Sequence, residues 1–198
     1  MAKAKITLHG SSIEKEPEEK LLTINRIFFE VNISLNSYYA INWNPNLTSD
    51  IELPPYLKFL GYLNYKNFVI EICKLVHRSS SEQYNLFDLL DELKNSVVFA
   101  INPEIVNGFL NSLSGMENDY ILDLRKARNK VYAHTDTDHK SIKMKMGHSK
   151  TQPIIDLLKE IIVYLNKSLK INPSYHFNSD HGFKVNEFYD QVITKVVS

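Results

Sequence analysis

The sequence has few of the features that stabilise a fold covalently or insert it into a membrane. Only one of its 198 residues is cysteine, which argues against a disulfide scaffold and against a thiolate zinc site. Lys and Arg together number 23, as do Asp and Glu, so any field that attracts nucleic acid must be local. The longest uninterrupted apolar run, Val97–Ile101, is far shorter than the roughly 20 residues that span a bilayer, and the first residues lack the apolar core of a signal peptide. We therefore expect a soluble, cytoplasmic protein with no membrane partner.

Apolar residues at helical spacing run along most of the chain, beginning with two long segments. The first is predicted as a helix from Glu18 to about Tyr39. The second is predicted from Pro55 to about His77, because proline is favoured at the first position of a helix. Their many aromatic residues are expected to form the core, with the two helices packed antiparallel.

Shorter helices are predicted to follow. Asn85 is a candidate N-cap with Asp88 three residues later, and Pro103 is a candidate first residue of the next helix. A helix over 116–134 and an amphipathic helix that begins at Pro153 complete the pattern. Together they indicate an all-α bundle.

The domain organisation follows from these segments. Residues 1–17 form an acidic, loose lead-in, and residues 18–170 form the helical domain. Residues 171–198 form a C-terminal extension with a short helix over 185–197. The sequence leaves open whether this extension packs on the bundle, contacts a partner or is mobile.

The most informative segment is 122–136, LDLRKARNKVYAHTD. At about 100° per residue, one narrow helical stripe contains Tyr120, Leu124, Ala127 and Val131. Arg128 falls in the same stripe, and His134 lies at its edge. A permanent charge in a buried stripe is costly unless an anion meets it, so this segment is a candidate site.

The segment Arg128–His134, RNKVYAH, resembles the motif of the HEPN superfamily, the all-helical domains of many prokaryotic RNases. That motif is an arginine, a polar residue and, a few positions later, a histidine that an alanine often precedes. The flanking Leu124-Arg125 and Thr135-Asp136 are most similar to the abortive-infection branch. The resemblance covers residues from about 20 to about 170 and implies an HEPN-like helical bundle.

The residue types suit RNA cleavage without a metal ion or other cofactor. His134 titrates near neutral pH and could move a proton, while Arg128 could stabilise charge on the phosphate. Asn129 could offer its amide to the phosphate or to the histidine ring. On a straight helix Arg128 and His134 lie about 120° apart. Either the helix ends or kinks near Ala133, or a second subunit completes the site, and the resemblance favours a homodimer.

Structural explanations compete with this interpretation. Arg128 could form an ion pair with Glu71 or with Asp123 of a neighbouring copy, and His134 could simply interact with the helix dipole. Burial of Arg128 against a carboxylate inside a monomer would favour that explanation.

Several residues near the motif are candidate substrate contacts. Lys140, Lys143 and Lys145 lie in a run without acids that could hold the RNA backbone, or that could be a solvated loop. Tyr132 is a packing or dimer-contact residue, or donates a hydrogen bond to substrate. A metal site is not expected, because the adjacent polar residues Asp136, Asp138 and His139 are weak evidence for one.

The leading hypothesis is an HEPN-type endoribonuclease that acts as a toxin or abortive-infection effector and leaves a 2′,3′-cyclic phosphate or its hydrolysis product. The resemblance implies RNA as substrate and, as a further partner, a nucleotidyltransferase-like antitoxin. The alternatives are a non-catalytic HEPN module that binds RNA or a protein, and a helical structural protein with an accidental motif. An intact Arg128, Asn129 and His134 favours the first.

Overall fold

The computed structural model describes residues 16–44, 53–78, 84–96, 99, 101–133, 148–172 and 179–197. Within these ranges the chain is helical and contains no strand, so the predicted all-α fold is confirmed. In order, the elements are α1 (Glu16–Asn42), α2 (Pro55–Val76), α3 (Leu86–Lys94), α4 (Pro103–Gly115), a π-helical turn (Glu117–Ile121), α5 (Leu122–Ala133), α6 (His148–Ser168) and α7 (Ser179–Val197).

Helices α1 and α2 pack against each other in opposite directions. The rings of Tyr38 and Tyr65 lie 5.6 Å apart. Further along, Asn67 Nδ2 donates a hydrogen bond to Ser34 Oγ at 2.7 Å. Residue numbers rise along α2 as they fall along α1, so the predicted antiparallel packing is confirmed.

The starts of the two short helices α3 and α4 are confirmed by their caps. Asn85 accepts a hydrogen bond from the Asp88 backbone N–H at 2.8 Å, and its amide donates to the Asp88 carboxylate at 2.6 Å. Asn102 accepts from the Glu104 N–H at 2.9 Å, and Pro103 follows directly as the first helical residue. These side chains satisfy backbone donors that a helix start leaves unpaired.

The helix predicted over 116–134 is interrupted near its start. The backbone N–H groups of Tyr120 and Ile121 both donate to the Met116 carbonyl, each at 3.1 Å. The second of these bonds spans five residues instead of four, which defines a π-helical turn. Regular α-helix follows only from Leu122.

The prediction that Pro153 begins an amphipathic helix is wrong in its starting point. Helix α6 begins at His148, and the proline lies inside it. Proline removes one backbone hydrogen bond, which usually ends a helix. The first turn forms nevertheless, and its Thr151 is completely buried, as is Ile154 just after the proline.

Most buried side chains of α1 to α6 form one continuous core, which the π-helical turn also joins. A smaller cluster of Ile41, Leu57 and Ile193 connects α1 and α2 to α7. Helix α7 begins at Ser179, six residues before the predicted start at Val185, and packs on α1. None of the helices in the described part of the chain has the length and apolarity that a transmembrane span requires.

Candidate functional site

Helix α5 presents Arg128 at the boundary between core and solvent. Leu124 is completely buried, and Ala127 is partly buried against the main core. These two residues fix the inner face of the helix. Arg128 lies beside that face and is partly exposed, while Asn129 is exposed. Arg128 is therefore a partly solvated residue at the edge of the core.

The other predicted site residues are described less completely. Tyr132 belongs to α5 by its backbone, but its side chain lies outside the described residues, as does that of Val131. His134 follows the last residue of α5 and lies outside the described residues. The same holds for the candidate RNA-contacting residues Lys140, Lys143 and Lys145, and for Asp136, Asp138 and His139.

The two carboxylates considered as ion-pair partners of Arg128 each contact a lysine of their own helix. Glu71 is buried, and both of its oxygens accept hydrogen bonds from Lys74, at 2.6 and 2.8 Å. Asp123 is exposed and lies 3.5 Å from Lys126. Since Arg128 itself is partly exposed, it is not sealed inside the monomer.

The π-helical turn buries two consecutive side chains immediately before α5. Tyr120 and Ile121 are both buried, although neighbouring residues of a regular helix point about 100° apart. The wider turn directs both side chains into the core, and Leu124 continues the inner face one turn later. Such turns are frequent at functional sites, and this one sets the orientation of the helix that carries Arg128.

Hydroxyl groups from four elements meet behind this turn. We call this group the hydroxyl cluster: Tyr38 and Tyr39 of α1, Tyr65 of α2, Tyr120 of the π-helical turn and Thr151 of α6. Burial raises the pKa of all four tyrosines above the ordinary value of 10. Their mutual electrostatic repulsion raises it further for Tyr38, Tyr65 and Tyr120. The tyrosines are therefore neutral at physiological pH and are hydrogen-bond donors rather than bases.

Tyr120 contributes a buried hydroxyl group to the hydroxyl cluster. Among the described residues, no atom meets its buried hydroxyl group with hydrogen-bond geometry. The Thr151 hydroxyl lies near enough to offset part of the increase in the pKa of Tyr120, and it acts on Tyr39 in the same way. The sequence does not predict this cluster, because tyrosines at helical spacing indicate only a buried face. One local signal is Tyr120, which lies five residues after Gly115, the last residue of α4.

An aromatic stack lies at the end of α1, next to the hydroxyl cluster. The ring of Trp43 is stacked on that of Tyr39, with centroids 4.7 Å apart and planes 26° apart. Tyr38 meets the indole edge-on, with a centroid distance of 5.8 Å. Trp43 is nevertheless 53% exposed.

Helix α2 carries apolar side chains on the face opposite its core contacts. We call them the outer stripe of α2; they are 38–59% exposed, fall in a sector about 100° wide, and comprise Tyr56, Phe59, Leu60 and Leu63. The prediction that the aromatic residues of this helix belong to the core is wrong for Tyr56 and Phe59. Their spacing predicts a helix, but spacing alone does not say whether a face of that helix is covered.

Within the described ranges, no group of three or more His, Cys, Asp or Glu side chains is arranged to hold a metal ion. The single cysteine, Cys73, is a thiol buried in the core.

The chain is thus an all-helical domain whose late helix carries a partly exposed arginine in an Arg-polar-x4-His segment, a combination similar to that of HEPN domains. The chain belongs to the HEPN_AbiU2 family, an HEPN family related to abortive infection, whose model, described as AbiU2, matches residues 22–187. The match extends beyond residue 170, where the resemblance in the sequence ended, and includes the first half of α7. Searches of curated proteins and of solved structures gave no match.

Proposed function

We propose that this protein is a metal-independent endoribonuclease that acts as a toxin or abortive-infection effector. The observation that carries the proposal is the position of Arg128. Leu124 and Ala127 anchor the inner face of α5, and Arg128 reaches the solvent boundary from the same helix. Asn129 follows it on the exposed side. A fixed cation on an anchored helix, in a chain of this family, suits the stabilisation of a phosphorane.

The proposed chemistry is transfer of the phosphoryl group to the neighbouring 2′-hydroxyl. The 2′-oxygen loses its proton and bonds to phosphorus, and the bond from phosphorus to the 5′-oxygen breaks, leaving a 2′,3′-cyclic phosphate. In this scheme His134 moves the proton at the 2′-oxygen or at the leaving 5′-oxygen. Arg128 balances the additional negative charge on the phosphate, and Asn129 donates its amide. Tyr132, Lys140, Lys143 and Lys145 are the proposed RNA contacts.

We propose that the active form is a homodimer in which two copies of α5 line one cleft. The outer stripe of α2 supports this proposal. Its four side chains leave roughly 400 Å² of apolar surface uncovered, about half of what a standard interface removes from each partner. A two-fold contact through the outer stripe would pair the same face of both copies. The placement of the two copies of α5 in one cleft rests on the resemblance to HEPN domains.

The alternative function is a non-catalytic one. The protein would then bind RNA without cleaving it, or the outer stripe would bind a protein of another chain, such as a nucleotidyltransferase-like antitoxin. The catalytic proposal differs from this alternative in requiring both Arg128 and His134 for a chemical step.

The decisive experiment is cleavage of labelled RNA by purified protein in EDTA. Arg128→Ala and His134→Ala should each reduce the rate about 10²–10⁴-fold, because each removes a group that acts in the transition state. Lys126→Ala is the matched control. It removes a cation from the same helix, about 200° around the axis from Arg128, and should leave the rate within about twofold. Unchanged cleavage by either site variant, or strict dependence on added Mg²⁺, would contradict the proposal.

A mixture of Arg128→Ala and His134→Ala subunits extends this experiment to the dimer. If each cleft takes groups from both subunits, some mixed dimers contain one complete set, and activity returns after mixing. Light scattering should show a dimer at micromolar protein. A strictly monomeric protein that cleaves RNA would refute the shared cleft but not the chemistry.

A further inference from the structure

Trp43 combines high exposure with a fixed orientation. Tyr39 covers one face of the indole at 4.7 Å, and Tyr38 lies against its edge. A side chain that remains 53% exposed despite these two contacts has its opposite face open to solvent. Large aromatic residues are usually more buried than this, so an open and prearranged indole face is a candidate binding surface.

The backbone around Trp43 is held in place on both sides. Its N–H donates to the Tyr39 carbonyl at 2.9 Å, which continues the hydrogen bonds of α1. The next residue, Asn44, is buried and donates to the Asp190 carboxylate at 2.6 Å, which attaches this end of α1 to α7. A ligand that stacks on the indole therefore meets a surface that is already ordered, and loses little free energy in fixing it.

The stack is connected to the base of the motif helix. Beneath Trp43, Tyr39 belongs to the hydroxyl cluster and has Thr151 beside its hydroxyl group. Tyr120, which also interacts electrostatically with Tyr39, belongs to the π-helical turn before α5, and Thr151 lies in the first turn of α6. Trp43 therefore lies at the end of the bundle where α5 begins, and Arg128 follows about 12 Å further along that helix.

The outer stripe of α2 is a separate surface. Tyr65 meets Tyr38 on the inner side of α2, about 180° around the helix from Tyr56. Because Trp43 packs on the tyrosines of that inner side, it does not extend the apolar patch that we assign to a protein partner. This separation favours a ligand that binds Trp43 by its flat face alone.

We infer that Trp43, supported by Tyr39, is a stacking platform for an unpaired nucleobase of the RNA strand. This inference rests on the proposed function, since it adds a contact for the proposed RNA substrate. Single-stranded RNA is bound largely by stacking its bases on aromatic side chains and by contacts to its phosphates. In a chain with zero net charge, stacking adds affinity that electrostatic attraction alone would not supply.

The test uses the fluorescence of Trp43, which is the only tryptophan in the sequence. The full chain with His134→Ala, which prevents the proposed cleavage, is titrated with an unstructured oligoribonucleotide, with an abasic strand of equal length and with AMP. Quenching by the oligoribonucleotide, with little by the abasic strand or by AMP at equal nucleotide concentration, is the expected result. Equal quenching by the abasic strand, or by AMP, would overturn the inference.

Variants then measure the contribution of the platform to affinity. Trp43→Ala should raise the Kd for labelled RNA about tenfold, and Trp43→Phe should retain most of the affinity because it keeps an aromatic ring. Phe188→Ala is the matched control, since it removes an equally exposed ring from α7 and should leave the Kd unchanged. An unchanged Kd for Trp43→Ala, or a change in its oligomeric state, would overturn the inference.

The two proposals fail in distinguishable ways. If Trp43→Ala cleaves RNA normally and binds it with unchanged affinity, the stacking inference is wrong and the nuclease proposal stands. If RNA bases quench the fluorescence but the unmodified chain cleaves no RNA, the nuclease proposal is wrong and the stacking inference stands.

Discussion

Two buried polar sites in this bundle differ in how completely their hydrogen bonds are formed. Asn25 of α1 and Asn166 of α6 exchange two amide hydrogen bonds, each of 2.8 Å, and Asn25 also donates to the Leu21 carbonyl. In the hydroxyl cluster, by contrast, the Tyr120 hydroxyl has no partner with hydrogen-bond geometry among the described residues. The Asn25 and Asn166 side chains and the Tyr120 hydroxyl are all buried.

This difference in hydrogen bonding indicates that the asparagine pair is a structural site, whereas the hydroxyl cluster is associated with the motif helix. A pair that satisfies itself fixes the register of α1 against α6 and gains nothing from a ligand. A buried polar group without a partner costs free energy, and native proteins keep such groups mainly where strain or function requires them. The Tyr120 hydroxyl lies in the π-helical turn that precedes α5. We therefore assign the asparagine pair to stability and the hydroxyl cluster to the placement of the motif helix.

The largest change in the free energy of unfolding should come from breaking the asparagine pair. Asn25→Leu removes one partner and leaves the Asn166 amide buried and unpaired, which should lower the free energy of unfolding by about 2–4 kcal/mol. Urea denaturation followed by circular dichroism measures this. RNA cleavage per folded molecule should not change.

The double variant Asn25→Leu/Asn166→Leu is the control for that prediction. Since it removes both partners, it should cost less than the sum of the two single changes. Additive losses would mean that the two amides do not depend on each other, and the contrast with the hydroxyl cluster would lose its basis.

A smaller effect is expected from raising the pH. Burial raises the pKa of Tyr65 and Tyr120, so above pH 10 the unfolded chain releases protons that the folded chain keeps. The free energy of unfolding should therefore fall as pH rises above 10, with each of these two residues contributing about 1.4 kcal/mol per pH unit. Urea denaturation from about pH 9 to about pH 11 would show the decline. The double variant Tyr65→Phe/Tyr120→Phe should flatten it, and an unchanged slope would place the hydroxyl groups in water.

Local sequence signals were sufficient for most of the fold. The caps at Asn85 and Asn102 involve residues two or three positions apart, so the chain itself displays them. The inner face of α5 was likewise predicted, because Leu124 and Ala127 repeat at helical spacing. Arg128 lies beside that face and is partly exposed.

Features that depend on distant residues or on a single inserted residue could not be predicted. Asn25 and Asn166 are separated by 141 positions, and neither is unusual in its own segment. The π-helical turn changes the hydrogen-bond spacing without changing the residue types. The outer stripe of α2 has the same spacing as the inner face, so only the folded chain distinguishes the covered face from the uncovered one.

The smallest effect, and the sharpest test of the comparison, is expected for Tyr120→Phe at neutral pH. This change deletes a buried hydroxyl group and keeps the ring that fills the core. If the hydroxyl has no partner, the free energy of unfolding should stay the same or rise by up to about 1 kcal/mol, because an unsatisfied polar group is removed. A loss of more than about 1 kcal/mol, measured by the same urea denaturation, would show that the hydroxyl is bonded in solution, for example to a buried water. The two polar sites would then be equally satisfied, and the π-helical turn alone would remain as the feature that distinguishes the base of α5.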